Sequence, residues 1–276
     1  MKGASGQTIN PYVLYPHLPK TSLPLRLLSK QCRGPCVVIG GGESARKCLK
    51  AHGLPGCFTI ACNHAIEQYN ADMVLVQDYG IFQYPRFRAA VEGRRTFLIT
   101  SLSRPSNRLS TSKTSGFYYW RTRAESTSEW EGQDPTHVLK TPSVLSGSQA
   151  VVIAHGLGFY PIICLGLDAN YEKDSYRYGF DHPKWGRQYA QTNTRQMMID
   201  AQTEFLSDNA SKMVLFNCSY GNWSRQIDYK EVLSLVTQNS QDSRELVEAV
   251  WKANMMRQHP QAVAIYERKR RYKHHG

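Results

Sequence analysis

The residue types with chemistry to offer collect where apolar runs stop. Cys36–Ile39 leads into Gly40, Gly41 and Gly42, after which Glu43, Ser44 and Ala45 open a helical pattern that carries Leu49 inward and stops at Gly53. A glycine turn between a strand and a helix aims free N–H groups and the positive end of the helix dipole at whatever lies above it. That is the chemistry of a phosphate site. The next apolar run, Phe58–Cys62, ends at Asn63. Gly40-x-Gly42-x-x-Ala45 fits the loose dinucleotide fingerprint, but the fingerprint also wants an acid after the second strand to hold a ribose hydroxyl. Asn63 is an amide that both donates and accepts, so NAD is disfavoured. A G-x-x-x-x-G-K-[ST] loop and a D-x-D metal motif are both absent.

A second helix start has the same character. Ser146, Gly147 and Ser148 precede Val151, Val152 and Leu157, and the following run, Ile162–Leu165, ends in Gly166, Leu167 and Asp168. The loop 169–193 holds Tyr171, Tyr176, Tyr178 and Tyr189, together with Asp181, His182, Lys184, Trp185 and Arg187.

These residues need elements to position them. Short apolar runs such as Cys36–Ile39 are too brief for a helix core and suit strands buried on both faces. Further strands are expected at Met73–Val76, 94–100 and 213–217. Helices are expected at 64–69, 194–207, 229–236 and 243–256. Strands alternating with short helices predict a Rossmann-like α/β fold, a doubly wound, mostly parallel sheet spanning 35–260. Residues 1–34, with Pro11, Pro16, Pro19 and Pro24, read as an arm over the domain surface. Between 101 and 143 the periodicity disappears among Ser, Thr and Arg, which predicts an inserted lid without elements of its own. Its aromatics, Phe117 to Trp120 and Trp130, either hold a ligand beside the neighbouring cations or pack the segment onto its own domain.

The 276 residues are 41% hydrophobic, enough to bury a full α/β core. No apolar run approaches the roughly 20 residues of a membrane span, and the N-terminus lacks the apolar centre of a secretory signal, so a cytoplasmic protein is expected. Seven cysteines, most in or beside strands, agree with reduced, buried thiols. The formal charge is +12, concentrated at both ends, with residues 261–276 reading as a basic tail. Such termini are usually solvated, and a polyanionic partner is the alternative.

The glycine turn, the Asn closing the second strand, the S-G-x-x-A helix before L-G-x-x-x-I-x-L-G-x-D, and a Tyr-rich loop with His resemble the bacterial sialyltransferases that build lipo-oligosaccharides. The same core is similar to Maf-type flagellin glycosyltransferases and to archaeal hydroxymethylpterin pyrophosphokinases. The resemblance covers roughly residues 36–217 outside the lid. It implies a nucleotide-sugar glycosyltransferase, metal-independent and inverting, with no cofactor beyond its donor. Gly40, Gly41, Gly42 and Ser44 would meet the nucleotide, Asn63 the nucleoside, and Ser146, Gly147 and Ser148 the ribose or phosphate, with Asp168 at the same edge. Tyr171 and Tyr176 would donate hydroxyls to the departing phosphate, and His182 would be the general base. The acceptor, a glycan or a nucleic acid, is not named by the sequence. Gly41 replaces the family's Asn, and Glu43 replaces its Pro. Two alternatives stay open: a pyrophosphokinase-like transferase needing Mg²⁺ on acids such as Asp78 and Asp168, and a nucleic-acid-binding protein that kept the fold without catalysis.

Overall fold

The computed structural model describes residues 22–53, 56–77, 81–82, 84–93, 96–101, 115–123, 134–141, 145–168, 193–235 and 241–271. Nine strands are described: β1 (Ser22–Pro24), β2 (Cys36–Ile39), β3 (Phe58–Cys62), β4 (Met73–Val76), β5 (Phe97–Ser101), β6 (Gly116–Arg123), β7 (Val138–Thr141), β8 (Ile162–Leu165) and β9 (Leu215–Asn217). Eight run in the order β1-β6-β5-β4-β3-β2-β8-β9, and β7 pairs with the second half of β6. Every pairing is parallel.

The helices are α1 (Glu43–His52), α2 (Ala65–Gln68), α3 (Pro85–Gly93), α4 (Ser146–Leu157), α5 (Asn193–Asn209), α6 (Tyr229–Leu235), α7 (Gln241–Gln258) and α8 (Pro260–Arg271). They cover both faces, because alternate residues of each central strand feed different cores. Val37, Ile39, Ala61, Val74 and Leu165 pack with α1, α2, α3 and α6. Cys36, Val38, Ile60, Leu75 and Cys164 pack with α4, α5, α7 and α8. The expected doubly wound, Rossmann-like sheet is therefore the observed one. α4 is buried from Gly147 to Leu157 apart from His155, which explains its nearly all-apolar sequence.

The amino-terminal edge of the sheet is stapled. The Arg244 Nε–H donates to Asp72 Oδ1 at 2.8 Å and its guanidinium also reaches the Gly56 and Cys57 carbonyls. Asp72 Oδ2 in turn accepts from the Thr59 N–H and hydroxyl. Beside this, the Ser243 hydroxyl accepts the Arg33 N–H and donates to the Arg33 carbonyl.

Three segments differ from the sequence expectation. The last part of the presumed arm supplies β1 and a 3-10 turn at Leu25–Leu28, with Leu23, Leu25 and Leu28 in the core. Pro24 is tolerated because β1 lies at the end of the sheet order. The presumed element-free lid supplies β6 and β7, and Phe117 and Tyr119 are core residues. Packing, not ligand contact, accounts for those two rings. The presumed tail is helical to Arg271. Val263 and Tyr266 hold α8 down, with the Tyr266 ring 5.4 Å from Phe97 and 5.2 Å from Trp251 between centroids. Tyr266→Ala is expected to cost about 3–4 kcal/mol in urea unfolding, as for other buried aromatics cut to Ala, whereas exposed Arg268→Ala should stay within about 0.5 kcal/mol.

Candidate functional site

Open parallel sheets place ligands at the carboxyl edge where the strand order reverses. Here that point lies between β2, whose chain proceeds to β3 on one side, and β8 on the other. Two helix N-termini reach this edge, α1 after β2 and α4 before β8, and the structure treats them differently.

The crevice between β2 and β8 is closed by the chain itself. The Gly40 N–H donates to the Leu165 carbonyl at 2.7 Å and the Gly42 N–H to the Gly166 carbonyl at 3.0 Å. A Cβ on Gly40 would lie 2.8 Å from the Gly166 carbonyl carbon, and one on Gly42 would lie 2.8 Å from the Gly166 oxygen and closer still to the Asp168 carboxylate. Gly42 is the N-cap of α1 and has no side chain to cap with. Asp168 supplies the missing acceptor from another segment. Its Oδ2 accepts the Ser44 N–H at 2.9 Å, and its Oδ1 accepts the Ser44 hydroxyl and, at 3.0 Å, the Tyr220 N–H. The Ser44 oxygen then accepts the Gly166 N–H at 2.9 Å. Asp168 is 8% exposed and Ser44 fully buried. Tyr220 is held in place because Asn217 knits the following turn, donating to the Gly221 and Ser224 carbonyls and accepting from Ser219.

Gly40, Gly42, Ser44 and Asp168 are thus brought together, with Gly41 in the same turn, but as an internal closure rather than an open cradle. A carboxylate stands where the sequence led us to expect a phosphate. Glu43 adds a second negative charge in the first turn of α1, balanced by Arg46 at 3.5 Å and Lys47 at 3.3 Å.

The other terminus is built differently. The N-cap position of α4 is Leu145, without a side-chain cap, and no acid lies in its first turn. Asn63, at the end of β3, has φ of +49° and so turns its side chain out of the strand direction. Its Nδ2 donates to the Ser146 hydroxyl oxygen at 3.0 Å, while its buried Oδ1 has no partner among the described residues. Behind them the Ser148 hydroxyl donates to Gln202 Oε1 at 3.3 Å, and Gly147 leaves room for the Leu167 side chain. Gln77, Tyr119 and Gln149 form a further chain of polar groups with 3.4 Å links. Asn63, Ser146, Gly147 and Ser148 therefore form one grouping, which meets the first at the Leu167 side chain, close to both Gly40 and Gly147.

The Cys62 thiol approaches the Ser146 carbonyl at 3.7 Å. Burial pushes its pKa up to about 12, so at neutral pH it is a packed thiol and not a nucleophile. All seven cysteines are free thiols. Tyr171, Tyr176 and His182, and also Asp78, lie outside the described residues. Sequence reasoning missed Tyr220, Gln202 and the pair His64 and Glu67. Only the last had a visible signature, a His and an acid three residues apart at the start of a helix.

No protein-family profile matches this chain, and no curated protein matches it by sequence. The chain is similar to the solved Maf glycosyltransferase of Magnetospirillum magneticum AMB-1, with a TM-score of 0.47 and 15% identity over 86% of this chain. It spans 44% of that protein's length. So distant a likeness bears on no residue and on no reaction. Among the described residues no helix is long and apolar enough to cross a membrane.

The closure makes a stability prediction. Asp168→Ala removes the acceptor for three donors and should lower unfolding free energy by about 1.5–3 kcal/mol, the range for hydrogen bonds to a charged group. Gly42→Ala should cost about 1–3 kcal/mol by overpacking the same crevice. Urea titrations of both variants, and of Asp168→Asn with its smaller expected loss, check this. Wild-type stability in both would mean that the crevice is not held by Asp168.

Proposed function

We propose that this chain is a glycosyltransferase that uses a nucleotide-activated sugar, with the nucleotide's phosphate at the amino end of α4 and its nucleoside beside Asn63. The observation that carries the reading is the junction of Asn63 with Ser146. It sets a polar side chain with a spare acceptor against a helix N-terminus that carries no acid and no side-chain cap. N–H groups at such a terminus favour an anion, and the Asn63 oxygen suits a ribose hydroxyl or a base amine. Because Asp168 occupies the neighbouring α1 terminus, the site offers one phosphate position and not the pair that a dinucleotide spreads along a glycine turn.

The finer part of the proposal comes from the sequence resemblance. Transfer is of the sialyltransferase type, inverting and independent of metal, with Tyr171 and Tyr176 stabilising charge on the departing phosphate. His182 removes the acceptor's proton. A general base acts in the transition state, so its loss lowers turnover by about 10²- to 10⁴-fold while donor affinity stays nearly intact.

Two measurements test this. Calorimetric titration with CMP, UDP and ATP, with and without Mg²⁺, should show a nucleotide bound without the metal. Ser146→Asp should weaken that nucleotide at least about tenfold by setting like charges a few ångströms apart, yet leave the melting temperature unchanged or raised, since an acid suits the first turn of a helix. Undiminished affinity in Ser146→Asp would remove the phosphate from α4. For the chemistry, His182→Ala should keep nucleotide affinity and lose transfer by the factor given above. Full activity of that variant, or strict dependence on Mg²⁺, would favour the pyrophosphokinase-like alternative. Salt-dependent binding to DNA or RNA without nucleotide affinity would favour the non-catalytic one.

A further inference from the structure

The segment that carries Asn63 contains an ionisable pair, buried His64 and partly buried Glu67, that the proposed reading leaves without a role. His64 follows Asn63 directly and precedes α2, and it is 7% exposed. The His64 Nδ1–H donates to the Glu67 carboxylate, and the Glu67 N–H returns a bond to the His64 carbonyl at 2.9 Å. One bond between side chains and one between backbone groups thus close the same turn. The imidazole is walled in as well. Its ring meets Tyr84 edge-on at 5.3 Å and Phe87 at 6.0 Å between centroids. On the strand side, the Asn63 N–H donates to the Leu75 carbonyl at 3.0 Å.

Asn63 itself sits in the left-handed region, φ +49°. Asn tolerates that region better than most residues but does not prefer it, so something must hold it there. The left-handed turn is what sends the amide to Ser146 Oγ across the space between β3 and α4. A leucine and a phenylalanine would fill the same volume beneath α3 without the desolvation of two ionisable groups. A polar pair with two directional bonds fixes geometry instead, and a recognition group needs its supports locked to within a fraction of an ångström.

We infer that the His64–Glu67 pair is a positioning device for nucleotide recognition: it holds the β3–α2 turn so that Asn63 points at the α4 N-terminus. The inference rests on the proposed nucleotide site. Neither side chain touches the nucleotide in this scheme, and both act through Asn63. Removing His64 or Glu67 lets Asn63 leave the left-handed conformation, and the fraction of molecules competent to bind falls with it.

A double-mutant cycle separates this role from general support of the fold. With CMP as probe, and UMP and AMP beside it, calorimetry is run on wild type, Asn63→Ala, His64→Ala and the double variant. Asn63→Ala should weaken the preferred nucleotide about tenfold, and His64→Ala by a similar factor, as outer-shell partners of a binding site do. Once Asn63 is gone, His64→Ala should cost less than about twofold more. His64→Asn, whose amide can donate to Glu67 as Nδ1 does, should recover most of the loss. If His64→Ala fails to fold by circular dichroism, Glu67→Ala replaces it in the cycle, since it removes the bond and keeps the ring in place. Equal losses in both backgrounds overturn the inference while leaving the nucleotide site standing. A wild-type protein that binds none of the three nucleotides overturns the site and this inference together.

Discussion

The Asp168 carboxylate is the interaction on which the carboxyl edge depends. One buried side chain ties the start of α1, the end of β8 and the turn after β9, through Ser44 and the Tyr220 N–H. A carboxylate accepting bonds from backbone N–H groups at a helix N-terminus satisfies donors that would otherwise be orphaned and places its charge against the positive end of the dipole. The glycines are consequences of that arrangement. Gly40 and Gly42 are bare because Gly166 and Asp168 already fill the space where a Cβ would go. A glycine-rich turn before a helix therefore has two physical explanations, close approach of a ligand or close approach of the chain, and at Gly40 and Gly42 the chain does approach closely.

The two helix N-termini at this edge then become inequivalent. α1 carries Glu43 in its first turn and Asp168 over its end, while α4 carries neither an acid in its first turn nor a side-chain cap. Two like charges about 4 Å apart repel by roughly 4 kcal/mol at an effective dielectric near 20, so Asp168 and Glu43 disfavour a further anion at the α1 terminus. The fixed negative charge so distinguishes the two termini electrostatically, where helix dipoles alone would present the same sign at both.

Much of this fold is legible in the sequence. β2, β3, β4 and β8 are short apolar runs buried on both faces, and their ends at Asn63 and Asp168 mark the carboxyl edge. α4 announces itself by Ser146, Gly147 and Ser148. What stayed hidden did so for identifiable reasons. In β6 the inward pair Phe117 and Tyr119 has the two-residue period of a strand, but its neighbours are the Ser, Thr and Arg of an apparent loop. β1 is three residues long and contains a proline. In α8 the anchors Val263 and Tyr266 are spaced correctly for one helical face, yet the run of cations after them dominates the composition. Asp168 was readable as a residue at the right edge and unreadable as a cap, since its partner Ser44 is 124 positions away in the chain. His64 and Glu67 stand three residues apart at a helix start, a spacing visible in the sequence, but their burial depends on Tyr84 and Phe87 some twenty residues on.

The division of labour between the two edges follows from where the long-range polar bonds go. At the amino edge Arg244 spans Asp72, Gly56 and Cys57, and Ser243 grips Arg33, so α7 is fastened across the strand starts. α8 folds back on α7 there, with Tyr266 against Phe97 at the first residue of β5. The basic helix is thus held at the opposite end of the strands from Asn63 and Ser146. A strand of four or five residues spans about 13–17 Å, about two Debye lengths at physiological salt, so an exposed cation such as Arg268 adds little to the field at the α4 N-terminus. Under the proposed reading an anion at the α4 terminus is held by local N–H groups and by Asn63, and the net charge of the chain is no measure of that affinity.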